Sequence, residues 1–168
     1  MSHGSQPIRV LFLCTHNSAR SILAEALLNH LGAGRFAAFS AGSHPRQQQE
    51  PHPLALAALR EAGIDVAGLR SKSWEEFSGP NAPTMDLIIT VCDDAAGETC
   101  PLWPGHPALA HWGYADPSAG TAPDSVKLQA FKRTLFLLRR RLERLLALPA
   151  EQLVAPLLAQ AARNLSKE

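Results

Sequence analysis

Cys14 and Arg20 bracket five small or polar residues, Thr15, His16, Asn17, Ser18 and Ala19, within "RVLFLCTHNSARSILAEALL" (Arg9 to Leu28). A loop of that kind between a strand and a helix can curl so that its backbone N–H groups point inward. It then makes a nest for a tetrahedral oxyanion. The helix behind it adds the positive end of its dipole. Arg20 can fork two hydrogen bonds onto two anion oxygens, which a lysine cannot do in the same way. Such a field lowers a cysteine pKa to roughly 3.5–7.5, so Cys14 is expected to be a thiolate nucleophile at neutral pH. Ser18 or Ser21 is placed to hydrogen-bond the thiolate, and Asn17 to brace the loop. The oxyanion-binding residues expected are thus Thr15, His16, Asn17, Ser18, Ala19, Arg20 and Ser21.

Two further cysteines, Cys92 and Cys100, lie in "TVCDDAAGETCP" with seven residues between them. Zinc does not suit them, because they are too far apart for a knuckle and the chain has no second close pair. The segment between them carries Gly97 and small alanines, so it can loop or unwind. A disulfide needs Cα atoms within roughly 7 Å. Read alone, Cys92 is equally a buried strand-end residue and Cys100 a surface residue. Asp116 is followed by Pro117 in "HWGYADPSAG". A proline-stiffened loop suits a carboxylic acid that reaches over a bound anion, though Asp-Pro also opens ordinary turns.

The elements that must position these residues are legible as a pattern. Ile8 to Leu13 is an apolar run expected of a strand buried on both faces. Leu23, Ala24, Leu27, Leu28 and Leu31 share one helical face, and Gly32 ends that helix. Phe36 to Ala41 reads as a second strand, Leu54 to Ala62 as a helix, and Trp74 to Phe77 as a short helix capped by Ser73. Met85 to Val91 is the clearest buried strand, and Ala108 to Trp112 a weaker one. Asp124 is expected to cap a long helix with the seam Phe131, Leu135, Leu138, Leu142 and Leu145. Leu153, Val154, Leu157, Leu158, Ala161 and Leu165 form an amphipathic tail, with Pro156 near its start or at a kink. That tail reads as a final helix packed on its own domain.

Strands alternate with helices, so the expected fold is α/β: one domain, a parallel sheet of about four strands, and helices on both faces. The division expected is a core over 7–148 and a helical extension over 149–168. Loops after strands lie at the carboxyl edge of such a sheet, where ligands bind. That edge collects Cys14, Cys92 and Asp116. The 168 residues, 46% hydrophobic and 18% charged, suit a globular domain. A net charge of +1 gives no electrostatic case for nucleic acid or an anionic membrane. No apolar run approaches a membrane span, and "VLFLC" is half a signal-peptide core, so the expected location is cytoplasmic.

"VLFLCTHNSARS" resembles the phosphate loop of the low-molecular-weight protein tyrosine phosphatase superfamily. "SAG" (Ser40 to Gly42) and Asp116-Pro117 recur at that family's places, and the likeness runs from about Ile8 to Leu146. The resemblance implies that Cys14 attacks a tetrahedral oxyanion, Arg20 holds it, and Asp116 protonates the leaving group. The two extra cysteines and "HWG…DP" resemble the thioredoxin-coupled arsenate reductases of the same fold. That likeness implies a relay of Cys14, Cys92 and Cys100, arsenate or a phosphate-like oxyanion as substrate, and thioredoxin or glutaredoxin as external reductant, with no bound cofactor. Aromatic residues usual after Asp-Pro in the phosphatases are replaced here by Ser118 and Ala119. The alternative is a phosphatase in which Cys92 and Cys100 are idle or protective. Some relatives hold potassium through residues matching Asn17, Glu25 and Ser40 plus a carboxylate. Lys72 stands at that carboxylate's position, so no metal is expected.

Overall fold

The computed structural model describes residues 6–92, 103–105, 107–154 and 156–167. Four strands, β1 (Ile8–Cys14), β2 (Phe36–Gly42), β3 (Leu87–Thr90) and β4 (Ala108–His111), form one parallel sheet in the order β2-β1-β3-β4. The four α-helices among the described residues are α1 (Arg20–Leu31), α2 (Pro53–Glu61), α3 (Asp124–Leu146) and α4 (Leu157–Leu165). A 3-10 turn, Trp74–Phe77, lies before β3 and another, Ala150–Gln152, before α4.

Alternation along β1 sorts the core into two layers. Val10, Phe12 and Cys14 join the larger cluster, which takes apolar residues from all four α-helices. Leu11 and Leu13 face the other side, where Phe77, Met85, Ile88 and Trp103 cover them, with Phe39 and Trp74 at the margin. Both sets on β1 are fully buried, which is why that strand reads as an unbroken apolar run.

The register brings the strand ends together. Cys14 pairs with Gly42, Leu13 with Thr90, and Thr90 with His111. The chain leaves β1 toward β2 on one side and reaches β3 on the other. The crevice beyond the carboxyl end of β1 is therefore the switch point at which ligands bind in open parallel sheets.

Local signals explain most boundaries. His52 caps α2 by accepting from the Leu54 N–H at 3.1 Å, and Pro53 supplies the first helical residue. Ser73 caps the Trp74–Phe77 turn by accepting from the Glu75 N–H at 3.2 Å. The long helix starts differently from expectation. Pro123 is its N-cap, its carbonyl accepting from Val126 and Lys127 at 3.0 Å each, so Asp124 is the first helical residue and favours the dipole without capping it. Pro156 is the N-cap of helix α4, which packs on β4, where the Trp112 indole donates to the Ala162 carbonyl at 2.9 Å and Arg163 Nε to the Leu109 carbonyl at 3.0 Å. The tail therefore closes over its own edge strand.

Candidate active site

The loop from Cys14 to Ala19 is tethered through its carbonyls. Cys14 O accepts from Ser43 N–H at 3.1 Å, Thr15 O from His44 N–H at 2.8 Å, Asn17 O from the Ser71 hydroxyl at 2.5 Å, and Ser18 O from His52 N–H at 2.8 Å. In a trans peptide the N–H points opposite to the C=O. Carbonyls drawn outward to the body thus turn the N–H groups of Thr15, His16, Ser18 and Ala19 toward the loop's inner side. Ala19 then caps α1 without a side-chain bond. Inward N–H groups ahead of a helix N-terminus are an arrangement that can receive an anion.

Gly42 explains why "SAG" must end in glycine. A Cβ there would lie 2.7 Å from Thr15 O, 2.9 Å from the His16 carbonyl carbon and 3.0 Å from Asn17 N. The loop backbone rests directly on the end of β2, and any side chain would lift it.

Asn17 is the brace. It is fully buried and takes φ 56°, a left-handed conformation that asparagine tolerates better than most residues. Its Nδ2 donates to Ser21 Oγ at 2.8 Å and Ser40 Oγ at 2.9 Å, and its Oδ1 accepts from Lys72 N–H at 3.0 Å. Both amide protons and the amide oxygen are used, so the orientation of the group is fixed by its partners. Ser40 in turn donates to Glu25 Oε1. Lys72 Nζ donates to the carbonyls of Ser40 and Arg70 at 2.8 Å each and lies 3.8 Å from Glu25. Burial pushes the Glu25 carboxyl up against the pull of Ser40, Lys72 and Arg70, and pushes the Lys72 ammonium down against Glu25. The ammonium thus sits among two carbonyls and a carboxylate, a setting made for one positive charge.

Cys14 is 4% exposed and Cys92 2%. Cys92 shares a core cluster with Cys14, and Thr15 Oγ1 lies 3.6 Å from Cys92 Sγ. Ser21 Oγ is 2.8 Å from Cys14 Sγ. Of the two serines considered, it is Ser21 that reaches the sulfur. The expected thiolate is not what the anion-free site favours. The Cys92 contact, then burial, push the Cys14 thiol well above its ordinary value, against the Ser21 hydroxyl and N–H. Helix dipole, arginine and the convergence of Cys14 and Cys92 at one sheet edge were legible in the sequence; the effect of the second sulfur on the first was not.

Arg20, the first residue of α1, donates from Nη1 to the Tyr114 carbonyl at 2.9 Å. Its Nε is buried and, among the described residues, has no hydrogen-bond partner. Tyr114 is held in turn, its hydroxyl accepting from Arg141 Nη1 at 3.1 Å under the Arg141 guanidinium. Nothing in the sequence singled out Tyr114, because its working group is a carbonyl that any residue would supply. His16 turns its Nδ1 onto the His44 carbonyl at 2.9 Å.

Asp116 Oδ1 accepts from the Ser118 N–H at 2.9 Å and hydroxyl at 2.7 Å. Burial works to raise this carboxyl, but the Ser118 hydroxyl and N–H, with Arg20 and His52, hold it below the ordinary range. The site therefore joins Cys14, Cys92, Ser21 and the loop, with the charges of Arg20 and Asp116 felt by each other. Cys100 lies outside the described residues.

Among known proteins, the chain is 37% identical over 136 residues to the arsenate reductase of Bacillus licheniformis, covering 80% of this chain and 92% of that one. It is 32% identical over 139 residues to the glutaredoxin arsenate reductase of Synechocystis, covering 83% and 96%. A solved structure described as an arsenate reductase in the phosphate binding state superposes with a TM-score of 0.65 at 31% identity, over 83% of this chain and 97% of that one. The sequence profile of the low molecular weight phosphotyrosine protein phosphatases matches residues 9–156, and the chain belongs to that family.

Proposed function

We propose that this enzyme is an arsenate reductase that draws its two electrons from a three-cysteine relay, Cys14, Cys92 and Cys100. The observation that carries the reading is a second buried cysteine, Cys92, in the same core cluster as the loop cysteine and 3.6 Å from the Thr15 hydroxyl of the loop. A phosphatase needs one sulfur at this place, whereas a reduction needs two that can meet. The names of its relatives point the same way.

Arsenate enters the nest with its oxygens on the loop N–H groups and on Arg20, whose buried Nε is free to donate. The bound oxyanion is itself a base and takes the Cys14 proton. Sulfur then attacks arsenic, an S–As bond forms, an As–O bond breaks, and the departing oxygen leaves as water. The Cys14 thiol and the dihydrogen arsenate monoanion thus give a Cys14 thioarsenate ester, still a monoanion, and one water. Cys92 next attacks the Cys14 sulfur. An S–S bond forms, the S–As pair stays on arsenic, and As(V) becomes As(III). The thioarsenate ester and the Cys92 thiol thus give the Cys14–Cys92 disulfide and the dihydrogen arsenite monoanion, which takes up the Cys92 proton. Cys100 attacks Cys92, restores the Cys14 thiol and carries the disulfide away to an external dithiol such as thioredoxin or glutaredoxin.

The phosphatase reading meets an obstacle in Asp116, whose carboxyl, despite its burial, is held below the ordinary range by the Ser118 turn, Arg20 and His52 when an acid is required. The test is arsenate-dependent oxidation of NADPH through thioredoxin or glutaredoxin and their reductases, run beside hydrolysis of p-nitrophenyl phosphate. Turnover of arsenate with little hydrolysis at neutral pH is expected. Efficient hydrolysis without arsenate-dependent thiol oxidation would replace this reading with the phosphatase.

A further inference from the structure

Asp116 and Ser118 form a closed turn on the loop after β4. One carboxylate oxygen, Oδ1, takes both the Ser118 N–H at 2.9 Å and its hydroxyl at 2.7 Å, and the Ala119 N–H returns to the Asp116 carbonyl at 3.3 Å. Two donors on one oxygen stabilise the ionised form and turn that oxygen into the loop. The charges facing the group come from elsewhere in the fold: Arg20 at the start of α1 and His52 at the cap of α2. Asp124 and Lys127 at the start of α3 act on His52 with opposite signs. Both neighbours that act on Asp116 itself add to the effect of Ser118.

From this geometry we infer that Ser118 is a specificity-determining residue: by holding Asp116 as a carboxylate turned into its own loop, it suppresses phosphomonoester hydrolysis and leaves the site to oxyanions that carry their own proton. The inference deepens the reductase reading and rests on it for the preferred substrate class.

The chemistry of the leaving oxygen separates the two substrates. A phosphomonoester loses an alkoxide or aryloxide, which needs a proton from the enzyme. The Cys14 thiol gives its proton to a non-bridging oxygen of the phosphomonoester dianion, and with a neutral Asp116 carboxyl the products are a phosphorylated Cys14 monoanion, the free alcohol and the Asp116 carboxylate. The S–P bond forms as the P–O bond breaks, and the proton moves from Asp116 to the leaving oxygen. Arsenate needs no such donor, since its own hydroxyl leaves and the thiol proton completes the water. An Asp116 kept ionised therefore penalises the first reaction and not the second. Ser118 acts through Asp116 alone and is a positioning residue.

The experiment follows p-nitrophenyl phosphate hydrolysis against pH in the full chain, with Ser118→Ala, Ser118→Thr, and the parent and Ser118→Ala each carrying Asp116→Asn. In the parent, hydrolysis is confined to acid pH and falls as Asp116 loses its proton. Removing one hydrogen bond to a charged group moves that falling limb up by about one to two pH units, so Ser118→Ala hydrolyses about tenfold faster at neutral pH. Ser118→Thr restores the hydroxyl and the parental profile, and Asp116→Asn abolishes the gain. In the parent itself, carbon-13 NMR titration of the Asp116 carboxyl gives a value below the ordinary aspartate range, which needs no variant to fold. The inference is overturned if the Ser118→Ala limb coincides with the parent's, if the gain survives Asp116→Asn, or if Asp116 titrates at or above the ordinary value. A parent that fails to reduce arsenate would instead remove the reductase reading, a separate result in a separate assay.

Discussion

Asn17 Nδ2 donates to Ser21 Oγ at 2.8 Å, and that bond decides which way the Ser21 hydroxyl points. A serine oxygen that accepts from Asn17 has its single proton left for Cys14 Sγ, 2.8 Å away. The line continues from Asn17 through Ser40 to Glu25 and Lys72, so Cys14 is oriented by a chain of buried polar groups that ends at a salt bridge. Such networks specify geometry when every member is satisfied.

Ser21→Ala removes the hydroxyl that favours the thiolate. A hydrogen bond to a charged group contributes roughly 1.5–3 kcal/mol, so alkylation of Cys14 by iodoacetamide at fixed pH should slow at least tenfold. An unchanged rate would mean that the loop N–H groups alone set the state of the sulfur.

The raised Cys14 thiol predicts a distinctive pH dependence in the anion-free enzyme. Cys92 is the first cause and burial the second. Labelling should therefore keep climbing as pH rises through the ordinary thiol value of about 8.5. In Cys92→Ala the curve should level at lower pH and neutral-pH labelling should be faster. The sign for stability follows. The unfolded chain releases this proton first, so the contribution is complete below the unfolded value and is lost as pH rises toward the folded one. A parental plateau at neutral pH would contradict the shift.

Gly42→Ala sets a methyl group 2.7 Å from Thr15 O, and the atoms it meets are backbone. Overpacking of this kind costs typically about 1–3 kcal/mol. The cost should appear as loss of the nest: phosphate affinity by titration calorimetry falls about tenfold or more while far-ultraviolet circular dichroism is retained. Parental affinity would show that the loop does not need this contact.

Lys72 Nζ fills the space between the Ser40 and Arg70 carbonyls and Glu25. Melting temperature and arsenate turnover should then be the same in sodium and potassium salts at matched ionic strength. A potassium-specific gain in either would show that an ion still binds here.

What was legible in the sequence is what local chemistry dictates. A doubly buried β1 reads as an apolar run, the phosphate loop as small polar residues between strand and helix, and α3 as a repeating leucine seam. Strand–helix alternation was enough to bring Cys14 and Cys92 to one sheet edge, but their neighbouring places rest on the pairing of β1 with β3, which no local pattern encodes. The same distance in sequence hid the direction of the Cys14 shift, because the dominant cause lies beyond another strand. Arg20 was visible as a guanidinium, but its anchor is the Tyr114 carbonyl, and backbone groups leave no mark in the residue type. Asp116 was visible as an acid, while its ionised state rests on Ser118, two positions along, which stood out only as a departure from the aromatic residues of related phosphatases.

The central claim is that Cys14 and Cys92 join during one reduction. Its most direct test is Cys100→Ser, mixed with one equivalent of arsenate without external reductant and digested under non-reducing conditions for mass spectrometry. The account predicts one equivalent of arsenite and a Cys14–Cys92 disulfide, with none formed when phosphate replaces arsenate. Arsenite release with both thiols still free, or sustained turnover by this variant and by Cys92→Ser at the parental rate, would contradict it.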